Sequence, residues 1–295
     1  MPSEFRALDA LTDTYPPKLR KRQPYWRPKT PTIAKECRIP SWTWEREGMG
    51  AITERVILDV NGAFMAPLSG TELAHGQLEH TGADVSTYKP APGYYRIEAA
   101  GWSDPRIVNP LGLTPIPPTP RHRIPLVWVA APTVDLLHAI SDAGYWPGVT
   151  VHDSWTSPDR CRASDWATHV REERALALLA GDTDRQEAVK LGYSQAIQMM
   201  LGPKEGDPVK GSVIRPDWNH AIRAQHMANM WRKAWGCVLA GIPILGMQKR
   251  DEITLAEADF ADWLEFAMQP KSPVKWDDSG MQLGAFKIKR PEDDR

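Results

Sequence analysis

Short apolar runs and helical repeats of apolar residues alternate along most of this chain. Strands are predicted at four short runs, which are ERVILDV (54–60), GYYRIEA (93–99), PLVWVAA (125–131) and GVTVHDSW (148–155). Helices are predicted at three stretches with apolar residues at helical spacing, which are 132–145, 165–200 and 219–239. Such an interleaving of strands and helices predicts a mixed α/β fold of the α+β kind.

Glycine, proline and polar residues mark the ends of these elements. Within 165–200 the sequence AGDTD predicts a break, because Gly181 can end one helix and Asp182 or Thr183 can cap the next. The stretch 242–255, IPILGMQKRDEITL, has the strand, polar turn and strand of a hairpin. Prolines recur too often in residues 1–50 for long helices, so an extended arm is predicted there.

The composition is that of a globular protein. The 295 residues are 42% hydrophobic and 25% charged, and they suffice for one large domain or two small ones. The chain has no apolar run of membrane-spanning length, and MPSEFRALDALTD lacks the basic-then-apolar order of a signal peptide. A cytoplasmic protein without a membrane partner is therefore predicted. Three widely separated cysteines indicate neither a disulfide framework nor a cysteine-based zinc site.

A net charge of −1 gives no overall field that would attract nucleic acid, so such binding has to come from local clusters. One basic cluster surrounds Tyr25 and Trp26 in PPKLRKRQPYWRPKTP (16–31). Basic side chains can follow phosphates while aromatic rings stack on bases. The candidate nucleic-acid-binding residues are Lys18, Arg20, Lys21, Arg22 and Arg27. A solvated, flexible arm is the alternative interpretation.

Asp59 in RVILDVNGAFM (55–65) has two interpretations. An Asn-Gly pair after an apolar run is ordinarily a hairpin turn, which would leave Asp59 as a strand-end residue facing water. In the second interpretation, Asp59 holds a metal ion. Which of the two applies depends on what the rest of the chain supplies.

The order of these motifs resembles the palm and fingers of family B DNA polymerases. DVNGAF resembles their first motif, D-x-x-S-L-Y, with Phe64 at the Tyr that screens the sugar. Lys190 in KLGYSQAIQMMLG matches the Lys of K-x-x-x-N-S-x-Y-G. GMQKRDEI can be laid on Y-x-D-T-D-S-I, which places Asp251 at the second Asp. LGAFKIK (283–289) resembles the L-G-x-x-K segment of the family.

The resemblance implies a reduced polymerase-like architecture, in which a palm sheet carries a helical fingers insertion. The stretch before Asp59 is too short for a proofreading exonuclease domain, and little or no thumb is expected after LGAFKIK. The implied segments are a basic arm (1–50), the first part of the palm (51–164), a fingers-like helical segment with a return helix (165–240), and the palm hairpin with a tail (241–295).

The resemblance also implies which residues carry the chemistry. Nucleotidyl transfer uses two Mg²⁺ ions to activate the primer hydroxyl and neutralise the leaving pyrophosphate, so a palm needs converging carboxylates. Asp59 and Asp251 are the implied catalytic pair and metal ligands, for Mg²⁺ or Mn²⁺. Lys190, Phe64 and Arg174 are the implied contacts to the incoming nucleotide.

This sequence departs from the family pattern at several positions. Lys249 replaces the first Asp of the last motif, next to the implied metal site. Ser194 and Ile197 stand where the family has Asn and Tyr, and Phe64 lacks the hydroxyl of Tyr. These departures bear on catalysis more than on the fold.

A closer resemblance is to the telomere-associated proteins of actinobacterial linear replicons. LDVNGAF, LEHTG and KPAPGYYRI are similar to their DVNAAY, EHTG and PGYW, and the resemblance covers most of 42–255. It implies a DNA end or primed single strand as partner, with a terminal or replication protein beside it. Two functions follow, a compact polymerase-like nucleotidyltransferase and a non-catalytic DNA-end scaffold. An unrelated α/β binding protein is the third alternative, which applies if Asp59 and Asp251 lie far apart.

Overall fold

The computed structural model describes residues 31–48, 51–113, 125–201 and 215–289. It confirms the mixed α/β class, and the strands and helices predicted from apolar spacing are present within a few residues of their expected bounds. The five basic candidates of the arm, Lys18, Arg20, Lys21, Arg22 and Arg27, lie outside the described residues.

The described elements are numbered in chain order. The strands are β1 Trp44–Glu45, β2 Arg55–Val60, β3 Leu73–Ala74, β4 Glu79–His80, β5 Gly93–Glu98, β6 Leu126–Ala130, β7 Val151–Thr156, β8 Arg160–Cys161, β9 Gly246–Gln248, β10 Glu252–Ala256 and β11 Phe286–Ile288. The helices are α1 Pro31–Glu36, α2 Met65–Leu68, α3 Ala131–Asp142, α4 Ser164–Leu179, α5 Thr183–Met199, α6 Pro216–Leu239 and α7 Phe260–Met268, with a 3-10 turn at Glu257–Asp259.

The central sheet has five antiparallel-paired strands in the order β1-β9-β10-β2-β11. Successive residues of a strand face opposite sides of a sheet. On β2, Leu58 and Val60 are buried in the core, so Ile57 and Asp59 face the other side. Asp59 stands directly opposite Glu252 of β10 on one side and Lys287 of β11 on the other. The exposed face of this sheet therefore carries a row of charged residues.

A second sheet of four antiparallel strands has the order β4-β7-β5-β6, and β3 pairs with β8. The long helix α6 provides much of the core. Its apolar residues at the predicted positions, among them Ile222, Met227, Trp231 and Ala234, are buried. Trp231 and Trp235 stack on this helix, and the ring of Trp102 meets both edge-on. Most of the tryptophans are thus packing residues.

The two helices predicted within 165–200 are α4 and α5. Gly181 between them has φ of +62°, and the Asp182 side chain accepts a hydrogen bond from the backbone amide of Arg185. These are the helix-ending and helix-capping roles predicted from AGDTD. No helix in the described ranges is long and apolar enough to cross a membrane. Cys37, Cys161 and Cys237 are free thiols.

The hairpin interpretation of Asn61-Gly62 is wrong. The chain does turn there, with Gly62 at φ of +61°, but it continues into α2 and does not form a strand that returns along β2. Both flanks of β2 are already occupied, by β10 and β11, which come from distant parts of the sequence. Met65 and Leu68 of α2 pack instead in a second apolar core with α4, α5 and α6.

Candidate functional site

Asp59 and Asp251 lie beside each other at one end of the central sheet. Asp59 is the last residue but one of β2, and Asp251 belongs to the turn that joins β9 to β10. The backbone amide of Val60 donates to the carbonyl oxygen of Asp251 at 3.1 Å, one position beyond the Asp59–Glu252 pair. Both aspartates are half-buried. The arrangement in which they lie far apart, expected of an unrelated protein, is therefore not found.

Burial raises the pKa of the Asp251 carboxyl, and the neighbouring Glu252 raises it further. Lys249 acts in the opposite direction, although more weakly. Any positive group that approaches Asp251 would offset the cost of keeping its carboxylate charged and half-buried.

The side chain of Tyr193 on α5 is the point at which several candidate residues meet. Burial raises the pKa of its hydroxyl. Arg174 and a hydrogen bond with Ser194 lower this pKa, while the carboxylates of Asp251 and Asp59 raise it. The Tyr193 hydroxyl thus lies within electrostatic reach of both aspartates, and it connects the helical pair α4 and α5 with the end of the central sheet.

The two predicted cationic nucleotide contacts have different environments. Lys190 is exposed and lies one helical turn before Tyr193, on the same side of α5. Arg174 is on α4, and its guanidinium donates to the carbonyl oxygen of Gly280. Burial lowers the pKa of Arg174, while Tyr193 and Asp277 favour its charged form. Lys190 is therefore open to a ligand, whereas Arg174 is already bonded to the C-terminal segment.

Phe64, the implied sugar contact, directly precedes α2 and is packed between two side chains of α6. Its ring meets the ring of His226 edge-on at 5.1 Å between centroids. The guanidinium of Arg223 lies 5.5 Å from the centroid of the Phe64 ring. Cation–π contact and aromatic packing hold the Phe64 ring in place.

His226 joins the turn that follows β2 to the β9–β10 turn that contains Asp251. Its Nε2 donates to the carbonyl oxygen of Arg250 at 3.0 Å, and a backbone group of Ala63 forms a second hydrogen bond to the ring. Burial lowers the pKa of His226 to about 4, so the ring is neutral at pH 7. A neutral, buried ring with both turns as partners fixes the spacing between the end of β2 and the β9–β10 hairpin.

Lys249, which replaces an acid of the family pattern, is bonded to Glu252. Its Nζ lies 3.1 Å from the Glu252 carboxylate, and Lys289 on the other side lies 2.9 Å from the same oxygen. Glu252 is 5% exposed. Two ammonium groups thus compensate one buried carboxylate on the face of the sheet that carries Asp59.

The C-terminal segment wraps around the turn that follows Asp59. The amide of Asn61 donates to the carbonyl of Ala285 and the amide of Gly284 donates to the carbonyl of Asn61, each at 2.8 Å. The side-chain amide of Asn61 donates to the carbonyl of Asp277 at 2.9 Å. Lys287, at the lysine of the L-G-x-x-K pattern, is brought opposite Asp59. This segment therefore completes the candidate site.

Sequence reasoning missed Tyr193, His226 and Asn61 as residues of the site. For Arg223 it left open an exposed face or a DNA-facing stripe of the long helix, and in the structure Arg223 is half-buried. Tyr193 had one available signal, because it is three residues from Lys190 on a predicted helix and so shares its side. His226 and Asn61 contact residues that are remote in sequence, so no local pattern marks them.

The donor set is compatible with Mg²⁺. This ion keeps several waters in proteins and is commonly bound by one or two carboxylates together with substrate phosphates. Asp59 and Asp251 supply two carboxylates, one from the end of β2 and one from the neighbouring β9–β10 turn. In the described ranges there is no cluster of three or more His, Cys, Asp or Glu that would form an all-protein metal cage.

This chain is similar to known proteins in its three-dimensional structure. No protein-family model matches the chain, and no curated protein matches it in sequence. The chain is similar to phi29 DNA polymerase in its ternary complex with primer-template DNA and incoming nucleotide, with a TM-score of 0.67, 12% identity, and coverage of 97% of this chain and 52% of that chain.

Two further phi29 DNA polymerase structures give the same result. The post-translocation complex with primer-template DNA has a TM-score of 0.67 and 13% identity, over 97% of this chain and 51% of that chain. The complex with single-stranded DNA has a TM-score of 0.65 and 12% identity, over 96% and 50%. The chain spans about half the length of these polymerases. Over that span it has a phi29 DNA polymerase-like fold.

Proposed function

We propose that this protein binds DNA in replication and that Asp59 and Asp251 are the site of two-metal nucleotidyl transfer. The observation that supports the proposal is that a backbone hydrogen bond joins the end of β2 to the β9–β10 turn, and that Asp59 and Asp251 both lie within electrostatic reach of Tyr193, in a polymerase-like fold. The similar polymerase was solved with primer-template and with single-stranded DNA, which supports DNA as the ligand.

Each residue of the site has a proposed task. Asp59 and Asp251 hold Mg²⁺, or Mn²⁺, which when bound activates the primer hydroxyl and neutralises the leaving pyrophosphate. Phe64, held by its two neighbours on α6, packs against the sugar of the incoming nucleotide. Lys190, exposed on α5, offers its positive charge to the triphosphate. Arg174 is a predicted nucleotide contact that also anchors Gly280.

A second function is favoured by one observation. Lys249 stands where the family pattern has an acid, and its ammonium is bonded to Glu252. A protein that had ceased to polymerise would tolerate that replacement. It would act as a non-catalytic scaffold at DNA ends, of the telomere-associated kind, with a terminal or replication protein as partner. The basic arm with Lys21 and Arg22 would supply salt-sensitive DNA binding in both functions.

Primer extension separates the two functions. The wild-type protein, Asp59→Asn and Asp251→Asn are compared on a short primed template with Mg²⁺ or Mn²⁺. Asp142→Asn is the control, because Asp142 is a well exposed aspartate at the end of α3. We expect incorporation by the wild type and the control and its loss in both site variants. Wild-type protein that binds DNA without incorporating nucleotides would support the scaffold, and protein that binds no DNA would contradict both functions.

A further inference from the structure

Two arginines lie near His226, and the guanidinium of one of them packs on the ring of Phe64. Arg223 lies one turn before His226 on α6, with its guanidinium 5.5 Å from the Phe64 ring centroid. Arg250 is exposed at the tip of the β9–β10 hairpin, and its carbonyl oxygen is held by His226 at 3.0 Å. Because residues three apart on a helix are neighbours, His226 fixes the hairpin tip next to Arg223.

The positive charge of Arg223 is not matched by a carboxylate of the described residues. Its Nη2 donates to the amide oxygen of Gln198 at 2.8 Å, and its Nε is buried without a hydrogen-bond partner among those residues. Burial lowers the pKa of Arg223, and Arg250 lowers it further. Buried donors in native proteins nearly always have partners, and an orphan donor beside a second cation is a feature expected of an anion-binding site.

Other arginines of the same helix region show the contrast. Arg215 forms hydrogen bonds to both carboxylate oxygens of Asp217, at 3.0 and 2.7 Å. Arg232 lies 2.8 Å from Asp135. Arg232 is nine residues after Arg223, which places it on the opposite side of α6. Arg223 therefore differs from both of these arginines, because its partners among the described residues are an amide oxygen and an aromatic ring.

We propose that Arg223 and Arg250 form a phosphate-binding site beside Phe64, which takes a phosphate group of a nucleic-acid strand or of a nucleoside triphosphate. The planar guanidinium offers several donors in a fixed fork that suits phosphate oxygens. Arg223 is half-buried and Arg250 exposed, so a ligand can reach both. The site rests on the proposed function, since it is placed next to the implied sugar contact.

Equilibrium binding identifies the phosphate source. Wild type, Arg223→Met, Arg250→Met and the double variant are titrated with a fluorescent primed template at several salt concentrations, and separately with deoxyadenosine triphosphate. Arg232→Met is the matched control, because it removes the same charge from the other side of α6. Thermal unfolding reports whether each variant folds, and Arg250→Met, at an exposed position, tests the site even where Arg223→Met is unstable.

If the strand supplies the phosphate, each single variant weakens DNA binding about tenfold, or about 1.4 kcal/mol. The slope of log K against log salt then falls by about 0.9 for a lost duplex phosphate contact. If the nucleotide supplies the phosphate, each single variant weakens triphosphate binding by a similar factor and leaves DNA binding unchanged. Because both arginines hold one group, the double variant loses less than the sum of the two.

Three results would overturn the site. Folded variants that bind both probes as tightly as wild type would remove it and leave the proposed function intact. Wild-type protein that binds neither DNA nor triphosphate would contradict the site and the proposed function together. Equal weakening in Arg232→Met would show a general charge effect, which also excludes a specific site.

Discussion

The backbone amide of Val60 donates to the carbonyl oxygen of Asp251 at 3.1 Å, which ties the end of β2 to the turn of the β9–β10 hairpin. This bond makes neighbours of two aspartates that are 192 positions apart in the numbering, 59 and 251. His226 fastens the same two turns from the side of α6. The geometry of the candidate site therefore depends on contacts that surround the carboxylates.

The turn after Asp59 needs glycine for two reasons. Gly62 has φ of +61°, and a Cβ there would lie 2.5 Å from Cδ2 of Leu283. Gly181 has φ of +62° with nothing within 4 Å of its Cβ position, so Gly181→Ala costs backbone strain alone, about 1–2 kcal/mol. We expect Gly62→Ala to cost about 1 kcal/mol more in urea unfolding, since Leu283 has to move. Equal losses of stability in Gly62→Ala and Gly181→Ala would contradict this prediction. So would an extra cost of Gly62→Ala that persists when Leu283 is also replaced by Ala.

The two lysines bonded to Glu252 differ in their effect on stability. Lys289 has a side chain that is 9% exposed, whereas that of Lys249 is 56% exposed. Removing a buried partner leaves a buried charge poorly compensated, so Lys289→Met is expected to lower the free energy of unfolding by about 2 kcal/mol or more. Lys249→Met should cost less than about 1 kcal/mol, because an exposed ion pair is screened by water. Chemical denaturation measures both, and a larger loss for Lys249→Met would refute this ranking.

Acid should destabilise the protein through His226. Burial lowers its pKa in the folded state to about 4, from 6.5 in the unfolded chain, so between these values the unfolded state binds more protons. Stability is then fully present above pH 6.5 and falls as the pH drops toward 4. One such proton contributes about 1.4 kcal/mol per pH unit.

Comparison with a variant isolates this contribution. His226→Gln should remove that part of the pH dependence, while His75→Gln, at an exposed histidine, should keep it. The free energy of unfolding, measured from pH 4.5 to 7, gives the slope for each protein. Identical slopes for wild type and His226→Gln would show that the pKa of His226 is not lowered in the folded state.

Alkaline pH should stabilise the protein through Lys233. Its ammonium is buried against Phe286 and donates to the carbonyl oxygen of Gly284, and burial lowers its pKa from 10.5 to about 8. Between these values the folded state has released the proton and the unfolded state still holds it, so stability rises with pH. The unfolding free energy of wild type relative to Lys233→Met should increase from pH 8 to 10. A constant difference would contradict the lowered pKa.

Local sequence determined the elements themselves. The spacing of apolar residues predicted β2 as a strand and α6 as a helix. Buried residues recur every second position in a strand and every three or four positions in a helix, because one side of each element faces the core. The helix cap at Asp182 was predicted as well, because its hydrogen bond from the Arg185 amide spans only three residues. The hairpin with Asp251 was also predicted, since its turn lies between two strands that are adjacent in sequence.

Tertiary structure decided how these elements form a site. Asn61-Gly62 predicts a hairpin turn on local grounds, yet β10 and β11 already occupy both edges of β2. Tyr193 comes within electrostatic reach of the two aspartates, and His226 bonds to the β9–β10 turn, only because α5 and α6 pack there. The periodicity of apolar residues indicates which side chains are buried, but it does not indicate which distant residues those side chains pack against. Local sequence patterns therefore predicted the strands and the helices, and the resemblance of motifs singled out the two candidate carboxylates, whereas the packing of the chain set their neighbours.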